Sequence, residues 1–375
     1  MQPFRQMPFR PLHVQPCPDI MKGHYDEKGD AVPSQDEFAL IRDWNDGRQS
    51  EEFLDSAGIV LGIGDDAAVV SGASDREWLF AVDTMVEDVH FRDDTMGEAD
   101  VGYKALAANV SDIAAMGGVP RQALVSISAP PSWNGERMKR LYDGLYECAE
   151  RYGIAIIGGD TTSAPRQLVV SVTIIGTVEV GRAIRRNGAK PGQSVFVTGP
   201  TGLSAAGLHG LLKQRDRSKE TSVEEAIPQR LVLSHRRPAP SVRAGRILLE
   251  TGWGSSLNDV SDGLASEAWE IAEASQARLV LRERALPVSG DLASYAGAQG
   301  VRLLDWMLYG GEDYVLIGTV DRIHELALKE RFRAEGLPLF IIGEVESGTP
   351  EVVLETASGT RKPLRKGGYN HFPKG

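Results

Sequence analysis

Cysteine is scarce in this 375-residue chain: Cys17 and Cys148 are its 2 cysteines, and they form no Cys-X-X-Cys pair. Neither a disulfide framework nor a structural zinc set is suggested, and a reducing cytoplasm is the expected setting. No uninterrupted apolar run is long enough to cross a bilayer, and residues 1–35 lack the apolar core of a secretion signal, so no membrane association is expected. Positive charge is also in short supply. With 41 Lys and Arg against 52 Asp and Glu the formal net charge is -11, which disfavours a general electrostatic grip on nucleic acid. The familiar phosphate loops are missing as well. Gly199–Gly207 lacks the Gly-Lys-Ser/Thr ending of a Walker motif, Gly62-Ile63-Gly64-Asp65 fails the dinucleotide fingerprint, and no His-Arg-Asp or Asp-Phe-Gly of the protein-kinase type occurs. No short-period repeat is visible, which removes solenoids and propellers.

What is present is an ordinary globular composition, 42% hydrophobic and 25% charged, at a length that suits two domains, each able to bury its own core. Residues 1–35 carry several Pro and Gln and no periodicity, and read as a disordered extension or an over-extended start, with Met21 as an alternative beginning. From residue 36 the pattern becomes regular. A short helix is expected over Glu37–Trp44, a buried strand over Trp78–Val82, and a helix over Ala99–Met116 closed by Gly117, Gly118 and Pro120. Strands over Leu124–Ser128, Ile154–Ile157 and Leu168–Val178, with a helix over Glu136–Tyr152, complete an N-terminal half of α+β or α/β type. The polar, basic stretch Gly181–Gly192 precedes a new strand at Ser194–Thr198. It puts the boundary between residues 36–180 and 181–375. In the second half, Gly199–Gly207 turns into a helix, Asp216–Glu225 reads as a charged surface loop, and Ser241–Thr251 and Gly263–Ser275 read as helices. Strands follow at Tyr314–Val320 and Leu339–Val345.

Five places set carboxylates beside glycine or at the end of an apolar strand: Gly62–Asp66, Val82–Thr84, Ser111–Asp112, Gly158–Thr162 and Asn258–Gly263. A carboxylate there can meet a cation while neighbouring backbone N–H groups approach a phosphate. An isolated Asp-Gly is usually only a turn. Five such places, each attached to a predicted element, point to divalent cations bridging the acidic chain to a phosphorylated ligand. On the helix around Asp112, Ala105, Ala108, Asn109, Asp112 and Ala115 share a small, polar face, while Leu106, Val110 and Ile113 form an apolar one. At Asp259–Gly263 either Ser261 or Asp262 is a natural N-cap, which leaves Asp259 without a structural task. A helix start also favours anions. Neighbours on a strand face opposite ways, so Asp65 and Asp66 are not expected to share one role.

Taken in order, the motifs resemble those of the thiamine-monophosphate kinase family across residues 36–372: Asp36–Ile41, Gly62–Asp66, Asp83–Phe91, Lys104–Asp112, Ile157–Thr162, Val260–Gly263, Gly310–Tyr314 and Gly368–Phe372. The resemblance implies an α+β, two-domain fold like that of aminoimidazole-ribonucleotide synthetase, with an N-terminal α/β domain at a homodimer interface and a C-terminal α/β sandwich-like domain. It implies ATP-dependent, magnesium-dependent phosphorylation of thiamine monophosphate to thiamine diphosphate, with no covalent nucleophile. Carried over by position, it assigns Asp66, Asp83, Asp112, Asp160, Asp259 and Asp262 to several magnesium ions. Gly159, Asp160, Arg186, Ser261 and Tyr152 fall to ATP, and His90, Glu312 and Tyr369 to the thiamine side. His90 also has a structural reading as a hydrogen-bonded histidine, and Tyr369 as a cap on the C-terminal core.

Two positions depart from the family pattern. A hydroxyl residue usual before the strand-end acid is replaced by Val82, and the closing Gly-Tyr-Asp-His-Phe reads Gly368-Tyr369-Asn370-His371-Phe372. The alternatives are another ATP-dependent synthetase of the same superfamily, which the motif series disfavours, and a non-catalytic nucleotide sensor, for which six retained acids have no obvious use.

Overall fold

The computed structural model describes residues 50–56, 58–62, 64–72, 75–217 and 227–368. The expected helix at Glu37–Trp44 and the site residue Tyr369 lie outside them.

The first half runs α1 (Glu51–Ser56), β1 (Ile59–Leu61), β2 (Ala68–Ser71), β3 (Arg76–Val86), α2 (Glu98–Ala115), β4 (Val119–Ala129), α3 (Gly135–Tyr152), β5 (Ala155–Ser163) and β6 (Val169–Glu179). Its strands form a 6-stranded sheet in the order β1-β2-β3-β6-β4-β5. Every pair is antiparallel except β4 with β5, which are parallel and joined through α3. Asn134 starts α3 by accepting a hydrogen bond from the Arg137 N–H, and Gly153 ends it in a left-handed conformation.

The expected strand at Trp78–Val82 forms as part of β3 but is buried on one face only. Leu79 and Met85 point into the core, whereas Trp78, Phe80 and Val82 are exposed on the other side. The helix α2 departs from expectation in the opposite sense. Both its polar and its apolar face are covered, and Val101–Ser111 are buried without interruption. The sheet lies on one side, α3 on another, and α6 of the second half on a third. Glycine permits this closeness: a Cβ at Gly102 would stand 1.9 Å from the Leu141 carbonyl oxygen, and one at Gly144 would stand 1.8 Å from that of Ala99.

The second half runs β7 (Ser194–Val197), α4 (Leu203–Arg217), α5 (Gln229–Arg236), α6 (Val242–Thr251), β8 (Gly254–Asp259), α7 (Leu264–Ser275), β9 (Arg278–Arg282), α8 (Gly290–Gln299), α9 (Leu303–Tyr309), β10 (Leu316–Val320), α10 (Glu325–Ala334), β11 (Phe340–Glu346), β12 (Glu351–Glu355) and β13 (Arg361–Pro363). The strands form a 7-stranded sheet in the order β13-β12-β9-β11-β7-β10-β8, antiparallel except for β12 with β9. Both halves are therefore mixed α+β layers. The loop expected at Asp216–Glu225 begins as helix, since α4 continues to Arg217; residues 218–226 fall outside the description.

One core fills the first half and continues through Ile247, Leu248, Leu257 and Leu316 onto the near face of the second sheet. A second core, with Val195, Val197, Leu264, Ile271 and Leu279, occupies that sheet's far face beneath α7. Among the described residues, no helix is long and apolar enough to cross a membrane.

Candidate active site

The acids converge where the halves meet. Asp66 sits in the bend between β1 and β2, Asp112 near the end of α2, and Asp259 at the last residue of β8. One carboxylate oxygen from each lies within 4.8 Å of the other two. The bend also corrects the strand argument for Asp66, because residues 64–67 are not extended. Asp66 is set apart by its partners instead. Its carboxylate receives Arg186 Nη2 at 2.8 Å and Nε at 3.2 Å, while Asp65 accepts the backbone N–H groups of Asp66 at 3.0 Å and of Arg186 at 3.2 Å. Arg186 Nε also reaches Asn258 Oδ1 at 3.2 Å, so this guanidinium ties the bend of the first half to β8 of the second.

The charge balance remains negative. Burial, and then the nearby charges of Asp83, Asp259 and Asp66, push the Asp112 carboxyl well above the usual carboxylate range, with Arg186 pulling the other way. Burial and the Asp66 charge raise Asp259 to about 8, and burial together with Asp66 raises Asp65 to about 7. Among the described residues Asp259 Oδ2 is buried without a hydrogen-bond partner; Ser111 is near enough to ease its charge without closing a bond on that oxygen. Oxygen ligands that repel one another, one of them unsatisfied, are the donor set that a hard divalent cation takes. Asp66, Asp112 and Asp259 thus fit magnesium, and Asp83, close enough to Asp112 to shift it, stands beside them.

The helix start after Asp262 is built differently from the expected cap. Its N-cap is Gly263, at φ 114°, with no capping side-chain hydrogen bond. Neither Ser261 nor Asp262 fills that role, because Glu267 reaches back from the first turn of α7 to accept the Asp262 N–H at 3.0 Å. The other Glu267 oxygen accepts from Asn258 Nδ2 at 2.7 Å. Asp259 and Asp262 are thereby held on a tight turn beside the site. Asp83 is held by Asn109 of α2, whose Oδ1 accepts its backbone N–H at 2.9 Å.

Other sequence-selected residues lie elsewhere. Asp160 pairs in register with Ser126, Ser126 with Ser171 and Ser171 with Thr84, so Asp160 belongs to the outer face of the first sheet, opposite α2. Within one chain the sheet separates Asp160 from the Asp66, Asp112 and Asp259 group, whereas Gly159, in register with the core residue Val125, belongs to the other face. Tyr152 ends α3, and its hydroxyl donates to the Pro240 carbonyl at 3.4 Å. His90 Nδ1 accepts the Val86 N–H at 2.9 Å, a local bond that agrees with its structural reading. Ser261 offers its carbonyl to the Glu312 N–H at 2.6 Å. Glu312 itself faces Lys104 and His235.

Sequence reasoning passed over Lys104, Asn109, Glu267 and Tyr314 as individual site residues. Tyr314 is buried with a left-handed φ of 51°, and its hydroxyl is pushed up by burial and by Glu312, Asp83, Asp259 and Asp262 around it. A signal existed for Lys104. It is a charged residue inside a run of small and apolar ones, eight positions before Asp112 and therefore on the same side of the helix.

Two mixed-sheet halves with acids at their junction define an AIR-synthase-type protein, and both domain families match. The AIR synthase related protein N-terminal domain covers residues 64–178, and the C-terminal domain covers residues 190–355. Thiamine-monophosphate kinase of Bacillus subtilis (strain 168) is 43% identical over 337 residues, covering 90% of this chain and 99% of its own. The Escherichia coli (strain K12) enzyme of the same name is 35% identical over 339 residues, covering 90% and 98%. Among solved structures, AaThiL complexed with AMPPCP and TMP superposes with a TM-score of 0.74 at 31% identity, over 90% of this chain and 97% of that one. The chain belongs to the thiamine-monophosphate kinase family.

Proposed function

We propose that the chain transfers the γ-phosphoryl group of ATP to the phosphate of thiamine monophosphate, giving thiamine diphosphate and ADP. The observation that carries this reading is the convergence of Asp66, Asp112 and Asp259 from both halves into one close-set, repelling group, in a chain of this family. Bound magnesium supplies the positive charge that lets polyphosphates and these carboxylates share the site. Asp66, Asp83, Asp112, Asp259 and Asp262 would hold it, and Asp160, on the outer face of the first sheet, is proposed for a further ion away from that group. Gly159, Arg186, Ser261 and Tyr152 are proposed for the nucleotide, and His90, Glu312 and Tyr369 for the thiamine moiety.

The acceptor is a phosphate oxygen, already anionic near neutral pH, so no side chain has to remove a proton. One oxygen–phosphorus bond forms as the bond to the departing ADP oxygen breaks, and the chain's contribution is position and charge. Arg186 keeps Asp66 in place and offsets part of its charge throughout.

The outer face of the first sheet supports a homodimer. Trp78, Phe80 and Val82 on β3 and Leu124 on β4 leave it apolar and open, with Val82 60% exposed. A second copy placed there would bring Asp160 into an interface and would give Val82, which stands where the family usually has a hydroxyl residue, an apolar partner. The boundary at 180/181 is supported by the end of β6 at Glu179. A cytoplasmic setting follows from the dependence on ATP.

The deciding assay supplies purified protein with ATP, magnesium and thiamine monophosphate and follows thiamine diphosphate, with free thiamine and aminoimidazole precursors as controls. Absence of product rejects the reading. A kinetically competent labelled phospho-protein formed from γ-labelled ATP rejects direct transfer.

A further inference from the structure

A second buried charged cluster lies on α2 beside the acids. Lys104 Nζ is 2.5 Å from Glu312 Oε1, and His235 Nδ1, at the end of α5, is 3.3 Å from Glu312 Oε2. Each carboxylate oxygen thus has its own partner, one from each half of the protein. Ser204 Oγ, 3.1 Å from His235 Nδ1, fixes the ring in turn. The side chains of Lys104 and His235 are 1% exposed, while Glu312 keeps 28%. The two partners are sealed behind, and Glu312 is the member of the three whose side chain keeps exposed surface.

The backbone around Glu312 is specialised as well. Glu312 at φ 66° and Tyr314 at φ 51° are both left-handed without being glycine, a conformation that concentrates at functional sites. The Glu312 N–H donates to Ser261 O at 2.6 Å and the Tyr314 N–H to Val260 O at 2.9 Å, which lays the segment along the Asp259–Asp262 turn. Along α2, eight residues separate Lys104 from Asp112, a rise of about 12 Å on one helix face. An organic monophosphate whose phosphate lies at the Asp112 end would extend its body toward Glu312. An ion pair that only joined the two halves would need neither the strained backbone nor the partial exposure.

We propose that Lys104 and His235 are positioning residues that orient the Glu312 carboxylate toward the organic part of the acceptor. This rests on the reading of thiamine monophosphate as the acceptor. With Lys104 supplying one positive charge, Glu312 remains ionised, and its unused lone pairs are aimed by its two partners at a donor group of the ligand.

Steady-state kinetics of the full chain with magnesium test this. In Lys104→Met the KM for thiamine monophosphate rises about tenfold or more while the KM for ATP stays within about twofold. Lys104→Arg, which retains the charge, recovers most of the loss, and His235→Ala moves the same constant by a smaller factor. An unchanged KM for thiamine monophosphate in Lys104→Met overturns the inference. So does a parallel rise in both KM values with a lowered melting temperature, the pattern of a merely structural pair. If Lys104→Met does not fold, His235→Ala is judged by the same split. A wild-type enzyme that makes no thiamine diphosphate overturns the underlying reading and this inference with it, whereas an active wild type with unsplit variants overturns this inference alone.

Discussion

The two charged clusters along α2 respond to burial in opposite ways. Around Asp112 carboxylates outnumber cations, and Asp112 and Asp259 hold their protons more tightly than in water; Asp259 rises to about 8. Around Glu312, burial by itself would raise the carboxyl, but the Lys104 charge and the His235 bond outweigh it and hold the group at about 2. Burial raises the carboxyl in both places, and the opposite net shifts distinguish a site whose charge is balanced within the chain from one that takes a cation from outside.

The sharpest way to break this contrast is Asp112→Asn. Turnover should fall on the order of 10²–10³-fold, since a charge that anchors the phosphates is lost at constant volume. The metal-free variant should nevertheless melt no lower than wild type, because one of several repelling carboxylates is gone. Calorimetry without magnesium, paired with initial rates, checks both parts. Glu312→Gln should do the reverse to stability. It strands the Lys104 ammonium in the interior, and the denaturant midpoint should fall by an amount equivalent to about 3 kcal/mol.

The pH response separates the clusters next. Asp259 is raised from 3.8 to about 8 on folding, so the folded state keeps a proton that the unfolded state has lost, and metal-free stability declines as pH rises through that interval. Asp65 and Asp313, each raised to about 7, act in the same direction. Glu312, lowered from 4.5 to about 2, contributes stability that is fully present above 4.5 and is lost as pH falls toward 2. His235 and His209, both lowered from 6.5, oppose the decline only at lower pH. Between pH 6.5 and 8 the metal-free melting temperature should therefore fall. Saturating magnesium should flatten that slope and add about 2.7 kcal/mol at 100 times its Kd. A flat metal-free profile would deny the excess of acid. The smallest change in folding stability is expected from Val82→Glu on the outer face, within about 0.5 kcal/mol. It should nonetheless shift the chain toward monomer in sedimentation.

Much of the fold was legible because it depends on local signals. Asn134 and Gly153 mark the ends of α3, and the apolar run after Ala99 marks α2. The strands β8, β9, β12 and β13 escaped because short strands draw their identity from neighbours distant in sequence. The burial of α2 on all sides was illegible for a related reason. Its alanine-rich face suits a solvent-free contact as well as a ligand, and only the arrival of α6 decides between them. The acids were visible as Asp beside Gly, and their grouping at Asp66, Asp112 and Asp259 emerges from the fold. The preoccupation of Arg186 with Asp66, the capping of α7 by Gly263, and the far-side location of Asp160 do not follow from spacing, since each is set by partners well removed along the chain.

The length of α2 acquires a meaning beyond packing. One extra residue between Lys104 and Asp112 would turn the far part of the helix by about 100° and advance it by about 1.5 Å. Lys104 and Asp112 could not then both face the second half. Substitutions can tune either cluster separately, but an insertion or deletion in these two turns breaks both at once, so this stretch acts as a fixed spacer whose count of residues is itself under functional constraint.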